Sequence, residues 1–231
     1  AASFSNALQG VEDGLADYPT LLYDGPFSDA LNQQKPYFLE GKEFVSSQAA
    51  REAANSMLDK LGLKLDLDKS GEMDGRIPCY TFANNHFTIY VTKTGGEILS
   101  FINSRSMTEA TLTVEQAKDK GIEAIKKLGF ANMELSYYDF NDGVVIMNFV
   151  DTQKGIVVYP DMVKIGIATD NGEVVLYDAT GYIMNHRPRE LTPVKITSDK
   201  AREGLSKFLT PIRQPRKVII PTDGVSEVLC Y

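Results

Sequence analysis

The chain has 231 residues, a formal net charge of −7, a pI near 5.0 and two cysteines. This acidity lacks the basic footprint that nucleic-acid binding needs, and no apolar run approaches the ~20 residues of a membrane span. Two or three small domains fit the length, each near the lower size at which a lone core suffices.

Residues 1–17 place Phe4, Leu8, Val11 and Leu15 at helical spacing. Pro19 and Gly25-Pro26 then break the chain into an extended run and a turn, and Ser28 is placed to cap a short helix to about Gln34. Within segment 1–43, the apolar residues of this stretch, from Tyr18 to about Gln34, have no periodic partner inside it. Either they dock on the folded unit that begins near Ser46 or they form a ridge for a partner.

From Ser46 to Ile102 runs a unit that recurs. Adding 67 carries Ser46, Ala50 and Leu61-Gly62 onto Thr113, Ala117 and Leu128-Gly129; adding 151 carries Ser46, Ala54 and Cys79-Tyr80 onto Thr197, Leu205 and Cys230-Tyr231. Ser46, Thr113 and Thr197 are N-cap residues. Behind them apolar residues recur at helical spacing: Ala50, Ala54, Met57, Leu58; then Ala117, Gly121, Ala124, Ile125; then Ala201, Leu205, Phe208, Leu209. Gly62 and Gly129 suit a left-handed helix stop, and Pro211 ends the helix of the third copy. The rest of the unit alternates with period two. Phe87, Ile89 and Val91 share one face in the first copy, Val163, Ile165 and Ile167 in the second, each followed by turn residues, Thr94-Gly95-Gly96 and Asp170-Asn171-Gly172. The strand offset has grown to 76, so nine residues are inserted between Phe149 and Val163, and Thr152-Gln153-Lys154-Gly155 reads as a longer loop or an extended hairpin. The fold class is α+β: tandem repeats over 44–110 and 111–191, each one helix on an antiparallel sheet, and an incomplete copy over 192–231.

Between helix and strands, Asp66, Asp68, Ser70, Gly71 and Asp74 half-match a calcium loop. Ile77 stands where a bidentate Glu is required, so an acidic solvated turn is expected. Cys79 and Cys230 recur with Ile146 as small core hydrophobes. Tyr137-Tyr138-Asp139-Phe140 is expected to pack beneath a helix, the alternative being a partner hot spot. His86 and His186 lack a second ligand at metal spacing. His186, Arg187, Arg189 and Lys195 form a locally basic linker, to which Arg213, Arg216 and Lys217 add in sequence; solvation is expected, contact with carboxylates of a partner or of peptidoglycan the alternative.

Tyr18-Pro19-Thr20-Leu21-Leu22-Tyr23-Asp24-Gly25-Pro26-Phe27-Ser28-Asp29 resembles the stretch leading into the repeats of the YpeB family of spore-germination proteins. The helix-plus-strands unit ending in Gly96-Glu97-Ile98 or Gly172-Glu173-Val174 resembles the PepSY domain, of which that family carries three. The resemblance covers 18–231. It implies a membrane anchor upstream and the rest of the third repeat downstream, so that processing or another chain would account for the end inside a strand at Tyr231. It also implies a place at the outer face of the inner spore membrane or in the cortex. The implied partner is the cortex-lytic peptidoglycan hydrolase SleB, which the family stabilises and restrains, with peptidoglycan and a processing protease as further candidates. No nucleophile elbow, Cys–His pair, zinc-protease motif or phosphate loop is visible, and the repeated positions are caps, core and turns. No catalytic, metal-binding or cofactor residues are expected. An enzyme acting directly on cortex peptidoglycan, or a purely structural tether, is the alternative.

Overall fold

The computed structural model describes residues 35–191, 195–210, 214–221 and 227–231. The helix expected over 1–17, the run from Tyr18, the helix capped by Ser28, and Pro211 and Arg213 lie outside the described residues.

Helix α1 (Ser47–Leu61) begins where Ser46 Oγ accepts the Ala49 N–H at 3.2 Å. Helix α2 (Val114–Lys127) begins with a reciprocal pair, Thr113 accepting from Gln116 N–H and the Gln116 side chain accepting from Thr113 N–H. Both stop alike. Gly62 (φ 73°) and Gly129 (φ 95°) turn left-handed, and Leu63 and Phe130 N–H groups reach back to Leu58 and Ile125 carbonyls at 2.9 and 3.2 Å. The buried faces, Ala50, Ala54, Met57 and Leu58 against Ala117, Gly121, Ala124 and Ile125, match at an offset of 67.

Each helix feeds four strands: β1 (Lys69–Met73), β2 (Cys79–Ala83), β3 (Phe87–Thr92) and β4 (Ile98–Asn103), then β5 (Met133–Asn141), β6 (Val144–Gln153), β7 (Ile156–Ala168) and β8 (Val174–Asp178). In the first unit Ile89 faces Phe101, Val91 faces Ile98 and a bulge separates Tyr90 from Val91; in the second Ile165 faces Tyr177, Ile167 faces Val174 and the bulge separates Gly166 from Ile167. Register and bulge recur at an offset of 76. In β6 the equivalence runs differently. Phe82 faces Ile89 and Met147 faces Ile165, so Cys79 falls on Val144, and Ile146 is half-buried on the other face. Cys79 is fully buried, where burial pushes its thiol up to about 11, and Cys230 is half-buried.

The two units are not separate sandwiches. β4 pairs antiparallel with β8, giving one sheet in the order β1-β2-β3-β4-β8-β7-β6-β5. The pairing joins equivalent strands, and Phe101 lies opposite its own counterpart, Tyr177. A single row therefore crosses the sheet face beneath both helices: Phe82, Ile89, Phe101, Tyr177, Ile165, Met147, Tyr138. All but the last are buried in one continuous core. The turn glutamates of the Gly-Glu motifs each clamp the segment entering their own helix, Glu97 to Lys42 at 2.7 Å and Glu173 to Arg105 at 3.1 Å.

The acidic stretch 66–77 is solvated, but it is a strand in place of a turn: it holds β1, exposed and paired with β2 over five residues, and Asp66 and Asp74 lie beyond opposite ends of that strand. The inserted residues extend the β6–β7 hairpin, turning at Lys154 and Gly155, both at positive φ. Past the turn β7 bulges at Tyr159-Pro160-Asp161, since Val158 pairs with Asp151 and the next partner pair is Met162 with Val150. Short helix α3 (Thr180–Asn185) seats on that bulge so closely that a Cβ at Gly181 would stand 3.1 Å from the Met162 carbonyl oxygen.

The third copy departs from expectation. Thr197 caps α4 (Ser198–Glu203), accepting from Lys200 N–H at 3.2 Å, but the helix ends there, before Leu205, Phe208 and Leu209, which are exposed. Strands β9 (Val218–Pro221) and β10 (Glu227–Cys230) form an antiparallel pair, and β9 runs parallel to the tip of β7, Val157 to Val218 and Val158 to Ile219. The insertion in the second unit is thus the platform on which the third sits. No helix among the described residues is long and apolar enough to cross a membrane.

Candidate functional site

The segment read as a solvated basic linker is instead a buried charge lock. The β7 bulge turns Asp161 inward, fully buried, and Arg189 (6% exposed) grips it with two bonds of 2.8 Å. The same guanidinium holds Glu227 of β10 through Nε at 2.8 Å and Nη2 at 2.7 Å, and donates to the Asn185 and Arg187 carbonyls. Arg187 adds a contact to Glu227 at 3.2 Å and stacks 4.0 Å above the Tyr37 ring. His186 lies with Nδ1 2.8 Å from Asp161 and 3.4 Å from Asp151, sandwiched by Tyr182 (4.2 Å, stacked) and the edge of Phe38. Burial opposes charge on this imidazole, yet Asp151 and Asp161 outweigh it and push His186 up to about 9.

Asp151, Asp161 and His186 bring three potential ligand atoms within 4.8 Å of one another. They do not fit a cation. Both Asp161 oxygens already serve Arg189, and an imidazolium beside a guanidinium repels further positive charge. Nor is the cluster free for acid–base work, because three carboxylates meet Arg187, Arg189 and a protonated His186 in a neutral, hydrogen-bonded set. Its role is to hold β10, α3 and the β6–β7 extension together.

A base whose folded pKa is raised stabilises fully below its unfolded value near 6.5, and that contribution is lost as pH rises through about 9. The difference in stability between the wild type and His186→Gln is therefore expected to shrink by at most ~3 kcal/mol from about pH 6 to about pH 10. Urea titrations of both proteins across that range check it. A constant difference would contradict the charge on His186.

The second candidate is the sheet's outer edge. Tyr137 (46%), Tyr138 (43%) and Phe140 (50%) of β5 are exposed, not packed beneath a helix: α2 sends Lys118 over this part of the strand, its Nζ 4.4 Å from the Tyr138 ring, while Met133 and Leu135 at the other end of β5 pack against the core. A third feature is a cleft of about 410 Å³ at the seam of the two units, walled by Phe38, Met57, Ile98, Phe130, Tyr177 and Tyr182. Burial raises the pKa of both tyrosine hydroxyls, which stay neutral. His86 stays exposed in the β2–β3 turn, where the Asn84 side chain accepts from the His86 and Phe87 N–H groups. Arg216 meets Glu134 at the surface, and Lys195 and Lys217 are exposed. Sequence reasoning missed Asp161 and Glu227. The available signal was a lone Asp after Pro160 in the apolar run Val157–Val163.

Comparison with known proteins agrees with this architecture. The family described as YpeB sporulation, PepSY1 and PepSY2 domains, matches residues 4–192. The sporulation protein YpeB of Halalkalibacterium halodurans is 31% identical over 146 residues, covering 63% of this chain and 32% of that protein. Its namesake in Bacillus subtilis is 25% identical over 236 residues, covering 98% and 52%, so the chain spans a third to a half of these relatives' lengths. The Bacillus megaterium YpeB C-terminal domain shares the fold, with a TM-score of 0.73 at 24% identity over 82% of this chain and 86% of that one. With α1 and α2 each leading four equivalent strands inside the matched span, the chain belongs to the YpeB family of sporulation proteins.

Proposed function

We propose that the chain is a non-enzymatic regulatory module of spore germination that stabilises and restrains a cortex-lytic peptidoglycan hydrolase of the SleB type, at the outer face of the inner spore membrane or in the cortex. The observation that carries the reading is the aromatic edge of β5: three large rings on one strand, held in water by a rigid sheet, have the composition and setting of a protein-binding hot spot. The family's association with sporulation supplies the setting. The buried acids and bases are spent on each other, which favours a holder over a hydrolase.

Purified chain, hydrolase and isolated cortex test it. The chain is expected to co-purify with the hydrolase, to lower muropeptide release at least several-fold when in excess, and to release none alone. Muropeptides released by the chain alone would mark an enzyme. Binding with unchanged hydrolase activity would mark a tether.

A further inference from the structure

We infer that the outer edge of β5 accepts an added strand, an extended segment of a partner protein in which apolar residues alternate with basic ones. This rests on the proposed role as a holder of a partner and names the surface. β5 is the last strand of the sheet, so among the described residues one side of its backbone has no neighbour. The Phe140 N–H bonds to the Asp139 carboxylate at 2.8 Å, so it points away from β6, and alternation turns the Tyr138 N–H the same way. The core row running Phe82, Ile89, Phe101, Tyr177, Ile165, Met147 ends on Tyr138, exposed. An added strand would carry that row one position further, covering Tyr138 and Phe140 on the helix side and Tyr137 on the other. The other edge, β1, lacks these features. It is five residues long, contains Gly71, and ties its Lys69 and Glu72 to Asn85 and Lys93. The charge of the partner follows from Asp139 and Asp142, both exposed beside the rings. Asp139 also guards the edge, since its carboxylate occupies the Phe140 N–H until a partner carbonyl displaces it.

Tyr138→Pro and Tyr138→Ala separate backbone from side chain. The Tyr138 N–H is not part of the β5–β6 ladder, so proline there leaves the sheet paired while blocking an incoming strand. The probe is the blocked hexapeptide Arg-Val-Lys-Val-Arg-Val. It is expected to slow amide exchange at Tyr138 in the 231-residue chain, to bind more weakly as salt rises, and to lose at least ~10-fold more affinity with Tyr138→Pro than with Tyr138→Ala. Equal losses with the two variants, or no slowing, would overturn the inference. Hydrolase pull-downs run in parallel. Wild-type binding that survives Tyr138→Pro would overturn this edge as the hydrolase's site and leave the proposed role standing. Failure of the wild type to bind the hydrolase, with the peptide still taken, would sink that role and support the edge. A concentration-dependent dimer, seen by light scattering and abolished by Tyr138→Pro, would assign the edge to a second copy and overturn the foreign partner.

Discussion

Replacing Arg189 with methionine is expected to cost about 3–5 kcal/mol, most of it in the hold on the third copy, because the change leaves Asp151, Asp161 and Glu227 to share two cations, His186 and Arg187, and so one carboxylate charge uncompensated. Arg189 uses every face of its guanidinium: two bonds to Asp161, two to Glu227 and contacts to two carbonyls. Among the described residues, Arg187 on Glu227, Arg216 on Glu134, two parallel residue pairs and a small cluster of Ile156, Val158 and Ile219, flanked by Leu191 and Leu229, add to the attachment of the third copy. Native-state hydrogen exchange should show Val157, Val158 and 218–220 losing protection together, while β3 and β4 keep theirs. Limited proteolysis should cut beyond Leu191 sooner than in the wild type. Lysine at 189 should recover less than half of the loss, since an ammonium restores the charge but cannot fork between two carboxylates. Unchanged exchange in Arg189→Met would refute the lock.

Phe101→Ala is the second large effect, about 3–5 kcal/mol for removing a fully buried ring. Phe101 touches Phe87 at 5.2 Å within its own unit and stacks on Tyr177 of the other at 5.8 Å. The cavity would open at the joint between β4 and β8, so both units should weaken together. Denaturant unfolding followed by amide signals from β2 and from β6 should give one shared midpoint, lowered equally for both. Two separate midpoints would show that the units fold independently.

The features legible in the sequence rest on local chemistry. Caps such as Ser46 and Thr113, the helix stops at Gly62 and Gly129, and the alternation of Ile89 and Ile165 depend on neighbours a few residues away. The features hidden in it depend on distant pairing. Tyr137, Tyr138 and Phe140 look like any core strand, and only the fusion of β4 with β8, which leaves β5 outermost, exposes them. Arg187 and Arg189 look solvated until a bulge 28 residues before Arg189 turns Asp161 toward them. The helical spacing of Leu205, Phe208 and Leu209 is genuine, but spacing folds a helix only where a sheet lies beneath it.

Because equivalent strands meet at the dyad between Phe101 and Tyr177, the first two copies form a closed, self-complementary pair, as in an isologous dimer fused into one polypeptide. Head-to-tail solenoids can lengthen by duplication because each unit leaves its successor the same vacant surface. Here that surface is consumed once and for all, so a further copy needs a new mode of attachment, supplied by the lengthened hairpin of the second.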